Sequence, residues 1–298
     1  MSDSFFRSME FLPNRLRVYG RMIKFGHTVF ALPFALAAVV LATREHAVTP
    51  AQLGWILAAM VGARSAAMGF NRLADAEFDA RNPRTANREI PAGILSRAAA
   101  TAFVVLSGAV FVGAAAMLGR LPFLLSFPVL AALLAYSYAK RFTWLAHFYL
   151  GAAISLAPAG AWVAISGGLD PAILILGLAL MAYIAGFDIL YACQDAEFDR
   201  AEGLRSIPAR FGVRTALRVA AAVHVVAFAA FLALYFAFGM GRVYLLAVGV
   251  IGFLLLFEHW LVPPDDLSRV PVAFFHVNGI VAAILFFGVL IDTLAGGR

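Results

Sequence analysis

The pentapeptide Asp-Ala-Glu-Phe-Asp occurs twice in this chain, at residues 75–79 and 195–199. Only 17 of the 298 residues are Asp or Glu, and nine of them lie within the two segments 75–89 and 188–202. Each copy places two aspartates four residues apart, which puts both carboxylates on one face of a helix. Two such carboxylate pairs, each followed by arginines, suit divalent metal ions that in turn hold a polyphosphate.

The first copy belongs to a longer polar stripe. Asn71, Asp75 and Asp79 are spaced at i, i+4 and i+8, so a helix that continues out of the second apolar run would present all three on one face. Arg64, one heptad before Asn71, lies near the same stripe and deeper in the apolar run. A charge at that depth costs roughly 2.5–3.5 kcal/mol unless it faces a polar cavity. We therefore expect Arg64 to face such a cavity.

The second copy also continues a polar stripe. Asp188, Tyr191, Asp195 and Asp199 fall at i, i+3, i+7 and i+11, again on one face of a helix. Asp188 lies at the edge of the sixth apolar run, where a carboxylate needs a cation, a proton or a donor such as Tyr191. No metal-ligand spacing relates His27, His147, His224, His259 and His276, and these histidines are assigned no role.

The chemistry of the donors favours magnesium. Every candidate ligand is an oxygen atom and the sequence has no Cys/His cluster, which argues against zinc. Carboxylates that cap or solvate helix ends are the alternative, and two identical copies, each with a third polar residue on its stripe, make that alternative weak. Six basic residues beside the motifs are the candidates for holding a diphosphate: Arg81, Arg84, Arg88, Lys140, Arg141 and Arg205.

Composition predicts the element that positions these residues. The chain is 63% hydrophobic with a mean hydropathy of +0.88, far outside the range of soluble domains. This composition predicts an all-α polytopic membrane protein. We expect a single domain over residues 1–298, with a basic cytoplasmic leader at 1–25. Its helices should form one bundle with a cytoplasm-facing cavity. Nine transmembrane helices are predicted at about 26–43, 52–70, 98–118, 121–138, 145–167, 171–192, 214–238, 242–262 and 271–294.

Charge asymmetry predicts the orientation. The leader and the loops after even-numbered spans carry 18 Lys and Arg, whereas the other loops and the C-terminus carry 4. This difference places the N-terminus and both aspartate motifs in the cytoplasm and the C-terminus outside, in a multi-pass protein of the cell's inner (plasma) membrane. Because this bias accounts for the net charge of +6, no nucleic-acid partner is expected.

These residues resemble a known family. The chain resembles the UbiA superfamily of membrane aromatic prenyltransferases, and in particular its 4-hydroxybenzoate polyprenyltransferase branch. The resemblance runs from Arg21-Met-Ile-Lys24 through the nine spans. It is strongest at Asn71-Arg72-x-x-Asp75-x-x-x-Asp79 with Arg84-Thr85-x-x-Arg88, and at Asp188-x-x-Tyr191-Ala-x-x-Asp195-x-x-x-Asp199.

The resemblance implies a reaction and a site. A polyprenyl group would pass from polyprenyl diphosphate to an aromatic acid in quinone biosynthesis, with Mg²⁺ as cofactor and the lipid bilayer as surroundings. The implied magnesium ligands are Asn71, Asp75, Asp79, Asp195 and Asp199. The candidates for binding the aromatic acceptor are Arg64, Asn71 and Asp188. Arg64 would bind the carboxylate of the aromatic acid, and Asp188, with Tyr191, would orient the acceptor or take its proton. Asp75, Asp79, Asp188, Tyr191, Asp195 and Asp199 are the catalytic candidates.

Two alternatives remain open at this point. The branch usually has Arg-Pro-Leu where this chain has Arg88-Glu89-Ile90-Pro91, and Ser206-Ile-Pro-Ala-Arg210 is more similar to a UbiA-like subgroup of the futalosine route to menaquinone. The acceptor in that subgroup is 1,4-dihydroxy-6-naphthoate. A cation-coupled transporter is the alternative of another class. The position of both motifs at the ends of spans, with arginines following, argues against it.

Overall fold

Eight long helices form a membrane-spanning bundle. The computed structural model describes residues 14–24 and 31–296, and every regular element within these ranges is helical. Eight helices there are long and apolar enough to cross a membrane. The predicted all-α polytopic class is therefore confirmed. The first of the nine predicted spans, 26–43, lies partly outside the described residues, and its described part contains an 11-residue helix, Leu32–Ala42.

The helix bounds follow the predicted spans closely. In chain order the helices are α1 (Asn14–Met22), α2 (Leu32–Ala42), α3 (Pro50–Ala74), α4 (Ala76–Arg81), α5 (Arg97–Leu118), α6 (Arg120–Phe142), α7 (Ala146–Ser166), α8 (Pro171–Ala192), α9 (Ala196–Ala201), α10 (Ile207–Phe211), α11 (Val213–Ala237), α12 (Arg242–Leu261) and α13 (Val270–Leu294). A 3₁₀ turn at Tyr136–Tyr138 interrupts α6, and a π turn at Ala273–Val277 interrupts α13.

Polar side chains define where the long helices begin. Thr49 and Gln52 form a capping box at the start of α3, with Pro50 in its first turn. Ser96 caps α5 and Asp170 caps α8. These side chains satisfy backbone N–H groups that have no partner within the helix, which fixes each start to one residue.

Small residues let the helices approach closely. A side chain at Gly62 of α3 would meet the backbone of Phe111 and Ser107 on α5 at 2.7 and 2.9 Å. Gly151 of α7 lies directly against the backbone of Met181 on α8. Such contacts are typical of membrane bundles, because packing rather than water exclusion associates the helices. They bring α3 and α8, the helices that lead into the two aspartate motifs, into the same bundle.

A cluster of polar side chains lies within the apolar core, apart from the aspartate motifs. Asn278 donates to Glu258 at 2.8 Å, and both side chains are fully buried. His224 lies 3.0 Å from His259 and 3.7 Å from Glu258. The group links α11, α12 and α13, so it joins the last three helices to one another by polar contacts within the apolar core.

Candidate functional site

Both aspartate motifs interrupt their helix at the first aspartate. Helix α3 ends at Ala74, and Asp75 has φ −96° and ψ 3° before α4 begins. Asp195 has nearly the same conformation, φ −103° and ψ 6°, before α9 begins. These angles lie in the bridge region, where many active-site residues are found. The prediction of one uninterrupted helical stripe through each motif is therefore wrong, although the two motifs share the same backbone break.

The break does not separate the polar residues of the first stripe. The N–H of Asp75 still donates to the carbonyl of Asn71 at 2.9 Å, and the N–H of Asp79 donates to the carbonyl of Asp75 at 2.8 Å. The Asn71 side-chain amide also donates to Asp75 Oδ2 at 2.7 Å. Asn71, Asp75 and Asp79 thus stay together, as the spacing predicts, in spite of the change in helix geometry.

The two motifs face each other. Arg84, which follows the first motif, donates through Nε to Asp195 Oδ1 at 2.9 Å and through Nη2 to Oδ2 of the same carboxylate. The Asn82 amide reaches Asp195 at 3.4 Å. Nearer the surface, Arg81 forms an ion pair with Glu202 at 2.7 Å. Segments more than 100 residues apart in sequence therefore form one site at one end of the bundle.

Each motif aspartate is held by a basic side chain. Asp79 accepts from Arg88 at 2.7 Å through both oxygens, and Asp199 accepts from Lys140 at 3.1 Å. Asp75 lies 3.6 Å from Arg141. With the Arg84–Asp195 pair, the four carboxylates and four cations alternate in a mixed-charge cluster. Such a cluster has the groups to bind both a divalent cation and a phosphate.

Arg141 is fixed by more than its aspartate. Its guanidinium donates to the Ala74 carbonyl at 2.5 Å and lies over the rings of Phe78 and Tyr138, at 5.2 and 4.7 Å from their centres. Its buried Nε has no hydrogen-bond partner among the described residues. The side chain is therefore held at the helix break with one donor still available.

The pKa of the Asp75 carboxyl group is raised. Burial is the main cause and the nearby charge of Asp79 adds to the rise, while Arg141 and Lys140 act in the opposite direction. A cation close to both carboxylates would reduce the repulsion between them and favour the ionised form of Asp75. The electrostatics at this aspartate pair thus favour a bound cation.

The two remaining acceptor candidates on α8 have separate partners. Tyr191 accepts a hydrogen bond from Arg84 at 2.8 Å, and the Arg84 guanidinium lies 5.3 Å from the centre of its ring. Asp188 instead bonds through Oδ2 to Nδ1 of His147 at 2.7 Å. Asp188 thus has a polar partner, as the sequence predicts, but among the described residues that partner is His147 and not Tyr191. Sequence analysis missed His147, because a lone histidine 41 positions away carries no spacing signal.

Arg205 has a different contact from the other basic candidates. Its guanidinium donates to the carbonyl of Phe142 at 2.6 Å, and its backbone N–H donates to the carbonyl of Lys140 at 2.6 Å. Both bonds attach the segment after the second motif to the end of α6. In this structure Arg205 therefore holds the loop that carries Lys140, and it contacts none of the motif carboxylates.

Arg64 is buried with little compensation. Its Nη2 donates to the carbonyl of Lys24 at 3.4 Å, and its buried Nε has no hydrogen-bond partner among the described residues. That Arg64 faces a polar cavity stays a prediction. The same contact ties Arg64 to Lys24, the last residue of the described segment 14–24, whose φ of 46° is the one positive value among the described non-glycine residues.

Lys24 is a site residue that the spacing of the motifs did not single out. Burial, together with the charges of Arg72, Arg88 and Arg84, lowers the pKa of its ammonium group to about 7, whereas Asp79 acts to raise it. A lysine under the influence of these four groups lies at the mixed-charge cluster. A bound anion would favour its charged form, so Lys24 adds a titratable cation to the site.

The donor set fits magnesium in its chemistry. Asn71, Asp75, Asp79, Asp195 and Asp199 offer only oxygen atoms. Among residues 14–24 and 31–296, no group of three or more His, Cys, Asp or Glu side chains is arranged as a complete metal cage. Few protein ligands per ion are typical of magnesium that is held jointly by carboxylates, water and substrate phosphates. The basic side chains that pair with these carboxylates would lie near such an ion.

The fold and the site define a class of protein: a polytopic helical membrane protein with paired aspartate motifs and a cluster of basic residues between them. Comparison with known proteins specifies it further. The chain belongs to the UbiA prenyltransferase family, whose model matches residues 31–280. It is accordingly a membrane-bound transferase, as the resemblance predicts.

Individual relatives support this membership. A 4-hydroxybenzoate octaprenyltransferase of Citrobacter koseri is 31% identical over 78% of this chain and 82% of its own length. The solved apo structure of a UbiA homologue from Aeropyrum pernix K1 is 34% identical, with a TM-score of 0.82 over 90% of this chain and 98% of that one. A UbiA homologue from Archaeoglobus fulgidus, solved with DMAPP and Mg²⁺, is 18% identical with a TM-score of 0.73 over 92% and 99% of the two chains, and shows the shared fold.

Proposed function

We propose that this protein transfers a polyprenyl group from polyprenyl diphosphate to an aromatic hydroxy acid of the 4-hydroxybenzoate type, with Mg²⁺ as cofactor, in quinone biosynthesis. The observation that carries the proposal is the pairing of Arg84 with Asp195, which joins the two aspartate motifs into one mixed-charge site. The named activity of the Citrobacter koseri relative and the ligands of the Archaeoglobus fulgidus homologue support the same substrates and metal. Family membership favours this reaction over the transporter alternative.

The proposed diphosphate site is the mixed-charge cluster. Asp75, Asp79, Asp195 and Asp199, with Asn71, would hold two Mg²⁺ ions, which supply charge neutralisation of the leaving diphosphate. Arg84, Arg88, Lys140 and Arg141 would bind its oxygens, since each already lies beside a motif carboxylate. Arg81 and Arg205 would act at the periphery, where they join the motif segments to their neighbours. Together these charges stabilise the diphosphate as the allylic C–O bond breaks.

Aromatic side chains lie next to this cluster. The ring of Tyr191, beneath Arg84, is 4.3 Å from the ring of Phe274, which in turn lies 5.2 Å from Phe187. Such rings exclude water and favour a cationic allylic group at their faces. The apolar tail of the prenyl substrate would leave sideways into the bilayer. The arrangement therefore suits chemistry in which water would destroy the reactive carbon centre.

Arg64 is the proposed anchor for the carboxylate of the acceptor. Its buried Nε has no partner among the described residues, and its one hydrogen bond within them is a long one to the carbonyl of Lys24. A carboxylate is the partner that matches a guanidinium in both charge and shape. Asp188 would orient the acceptor ring and accept its proton.

A second acceptor is favoured by the segment after the second motif. Ser206 caps α10, and the N–H of Ile207 lies 3.4 Å from His147, the partner of Asp188. The Ser206-Ile-Pro sequence, which resembles the menaquinone subgroup, is thus linked through His147 to Asp188, a residue proposed to bind the acceptor. 1,4-Dihydroxy-6-naphthoate, which is also a phenolic aromatic acid, is therefore the alternative acceptor.

We infer the orientation from charge. The excess of Lys and Arg in one set of loops, 18 against 4, would place the N-terminus and the active site in the cytoplasm and the C-terminus outside the cell's inner (plasma) membrane.

The function is tested by supplying full-length protein in detergent with a labelled polyprenyl diphosphate, Mg²⁺ and either acceptor. We expect a prenylated aromatic acid, and the ratio of kcat/KM for the two acceptors identifies the preferred one. Absence of product with both acceptors would refute the proposal.

A further inference from the structure

His147 lies on α7, which packs against α8, the helix that leads into the second motif. Its side chain is fully buried, but it makes polar contacts as well as apolar ones. Its Nδ1 lies 2.7 Å from Asp188 Oδ2 on α8, and its Nε2 lies 3.4 Å from the backbone nitrogen of Ile207 at the start of α10. One imidazole therefore contacts both the proposed acceptor residue and the segment that follows the metal-binding motif.

The two contacts define the proton on the ring. A backbone N–H can only donate, so Nε2 of His147 accepts from Ile207 and carries no proton. The single proton of the neutral imidazole is then on Nδ1, where it donates to Asp188. A donor at this distance fixes the orientation of the carboxylate group. His147 thus holds Asp188 as an acceptor of hydrogen bonds and protons.

Asp188 keeps a second oxygen for other chemistry. Its Oδ1 has no hydrogen-bond partner among the described residues, and its side chain is 18% exposed whereas His147 is completely enclosed. The charge of Asp188 acts on Lys140 and on Tyr136, and Tyr136 is also under the influence of Asp75. Oδ1 therefore belongs to a partly exposed carboxylate near Lys140 and Tyr136, while Oδ2 is fixed by His147.

We propose that His147 is a positioning residue for prenyl transfer, an inference that rests on the proposed function. Its Nδ1–H donates to Asp188 Oδ2 and so fixes the direction of Oδ1. In the transfer, a ring carbon of the acceptor forms a bond to the allylic carbon while the allylic C–O bond breaks and the electron pair leaves with the diphosphate. The proton on that ring carbon then passes to Asp188 Oδ1, which restores the aromatic ring. The electrons of the broken C–H bond return to the ring, so no other reactant is needed.

The competing explanation is purely structural. His147 also anchors α10, whose first turn is capped by Ser206 through the N–H of Ala209 at 3.3 Å. If that anchoring were its whole role, loss of the imidazole would disturb the second motif and would act independently of Asp188. The two explanations therefore differ in whether the effects of changing His147 and Asp188 combine.

A double-mutant cycle separates them. His147→Leu, His147→Gln, Asp188→Asn and the double variant His147→Leu/Asp188→Asn are compared in full-length protein in detergent. We expect His147→Leu to lower kcat roughly 10- to 100-fold, the size of effect seen when a supporting hydrogen bond to a functional side chain is removed. KM for the prenyl diphosphate should stay unchanged. His147→Gln, which keeps a donor for Asp188, should recover part of the loss. The double variant should be no slower than Asp188→Asn alone, because His147 acts through Asp188.

Isotope effects give a readout that a structural role would not move. With 4-hydroxybenzoate deuterated at the ring positions beside the hydroxyl group, or with correspondingly deuterated 1,4-dihydroxy-6-naphthoate if that is the acceptor used, the wild-type rate should be close to that of the undeuterated acid. In His147→Leu and Asp188→Asn, removal of the ring proton becomes slow, and the deuterated acid should react measurably more slowly. His46→Leu, in the loop between α2 and α3, is the matched control and should behave as wild type in both assays.

The outcomes are distinct. If wild-type protein prenylates neither acid, the proposed function fails and this inference fails with it. If wild type is active but His147→Leu is as fast as wild type, only this inference is overturned. It is overturned as well if the two losses multiply in the double variant or if no isotope effect develops. Where His147→Leu does not fold, the cycle built on His147→Gln and Asp188→Asn decides by the same criterion.

Discussion

Replacement of Arg64 by leucine should change stability and substrate binding in opposite directions. Among the described residues this buried guanidinium makes one hydrogen bond, of 3.4 Å, to the carbonyl of Lys24, and its Nε has no partner there. A buried cation without a counter-ion is costly, so an apolar side chain in its place should leave the Tm in detergent unchanged or higher. The same change removes the group that we assign to the acceptor carboxylate.

The size of the binding effect follows from the bonds removed. A hydrogen bond to a charged group contributes about 1.5–3 kcal/mol, which corresponds to about a 10- to 150-fold increase in KM for the aromatic acid when one is lost. KM for the prenyl diphosphate should change little, since Arg64 makes no contact with the motif carboxylates. Arg64→Lys should recover only part of the affinity, because an ammonium group lacks the planar fork of guanidinium.

Steady-state kinetics with each substrate varied in turn measure both constants. Arg44, on the opposite side of the bundle, where it bonds to the Phe238 carbonyl at 2.5 Å, offers a matched control: Arg44→Leu should leave both KM values unchanged. If Arg64→Leu instead raises only KM for the prenyl diphosphate, Arg64 belongs to the diphosphate site and the assignment of the acceptor is refuted.

Three further predictions concern pH, topology and stability. Because burial lowers the pKa of Lys24 to about 7, its ammonium group is charged below that pH and neutral above it. KM for the prenyl diphosphate should therefore rise as pH increases through about 7. Lys24→Met should remove that dependence, and an unaltered pH profile in the variant would contradict the prediction. Single cysteines near Arg84 and Arg205 should be labelled from the cytoplasm and one at Gly168 from the opposite side, and labelling of Arg84 and Gly168 positions from one side would disprove the topology. Asp292 accepts from the N–H groups of Gly241 and Tyr244 at 2.6 and 3.1 Å, so Asp292→Ala should cost about 2–4 kcal/mol and lower the Tm, and a Tm equal to that of wild type would show that these bonds contribute nothing.

The long helices could be predicted because length and hydropathy determine them almost alone. Helix α8 was expected at 171–192 and runs from Pro171 to Ala192. The contact between the two motifs was also predictable. Charged side chains are costly in an apolar chain, so carboxylates and arginines in such numbers usually share one functional site. The repeated pentapeptide carried that information in the sequence itself.

The helix breaks and the partners of the carboxylates could not be predicted in the same way. The sequence shows no signal of the breaks, because no proline or glycine lies beside Asp75 or Asp195. The break at Asp75 is also slight, since the hydrogen bonds across this residue keep helical spacing. The His147–Asp188 contact depends on how α7 packs against α8 through Gly151, which is a tertiary property. Arg205 illustrates the reverse case: its position beside the motif predicted a phosphate contact, and the loop geometry directs it to the Phe142 carbonyl.

The central claim is that the paired aspartates bind Mg²⁺ for prenyl transfer, and a metal titration of four variants tests it most directly. Full-length wild type, Asp75→Ala and Asp195→Ala are assayed with labelled polyprenyl diphosphate and the preferred acceptor while Mg²⁺ is varied and then removed with EDTA. Glu77→Ala and Glu197→Ala are the matched controls, because each changes the exposed carboxylate of the same pentapeptide. We predict that activity requires Mg²⁺, that both aspartate variants fold and are inactive, and that both glutamate variants respond to Mg²⁺ as wild type does. Full activity in excess EDTA, or in either aspartate variant, would contradict the account.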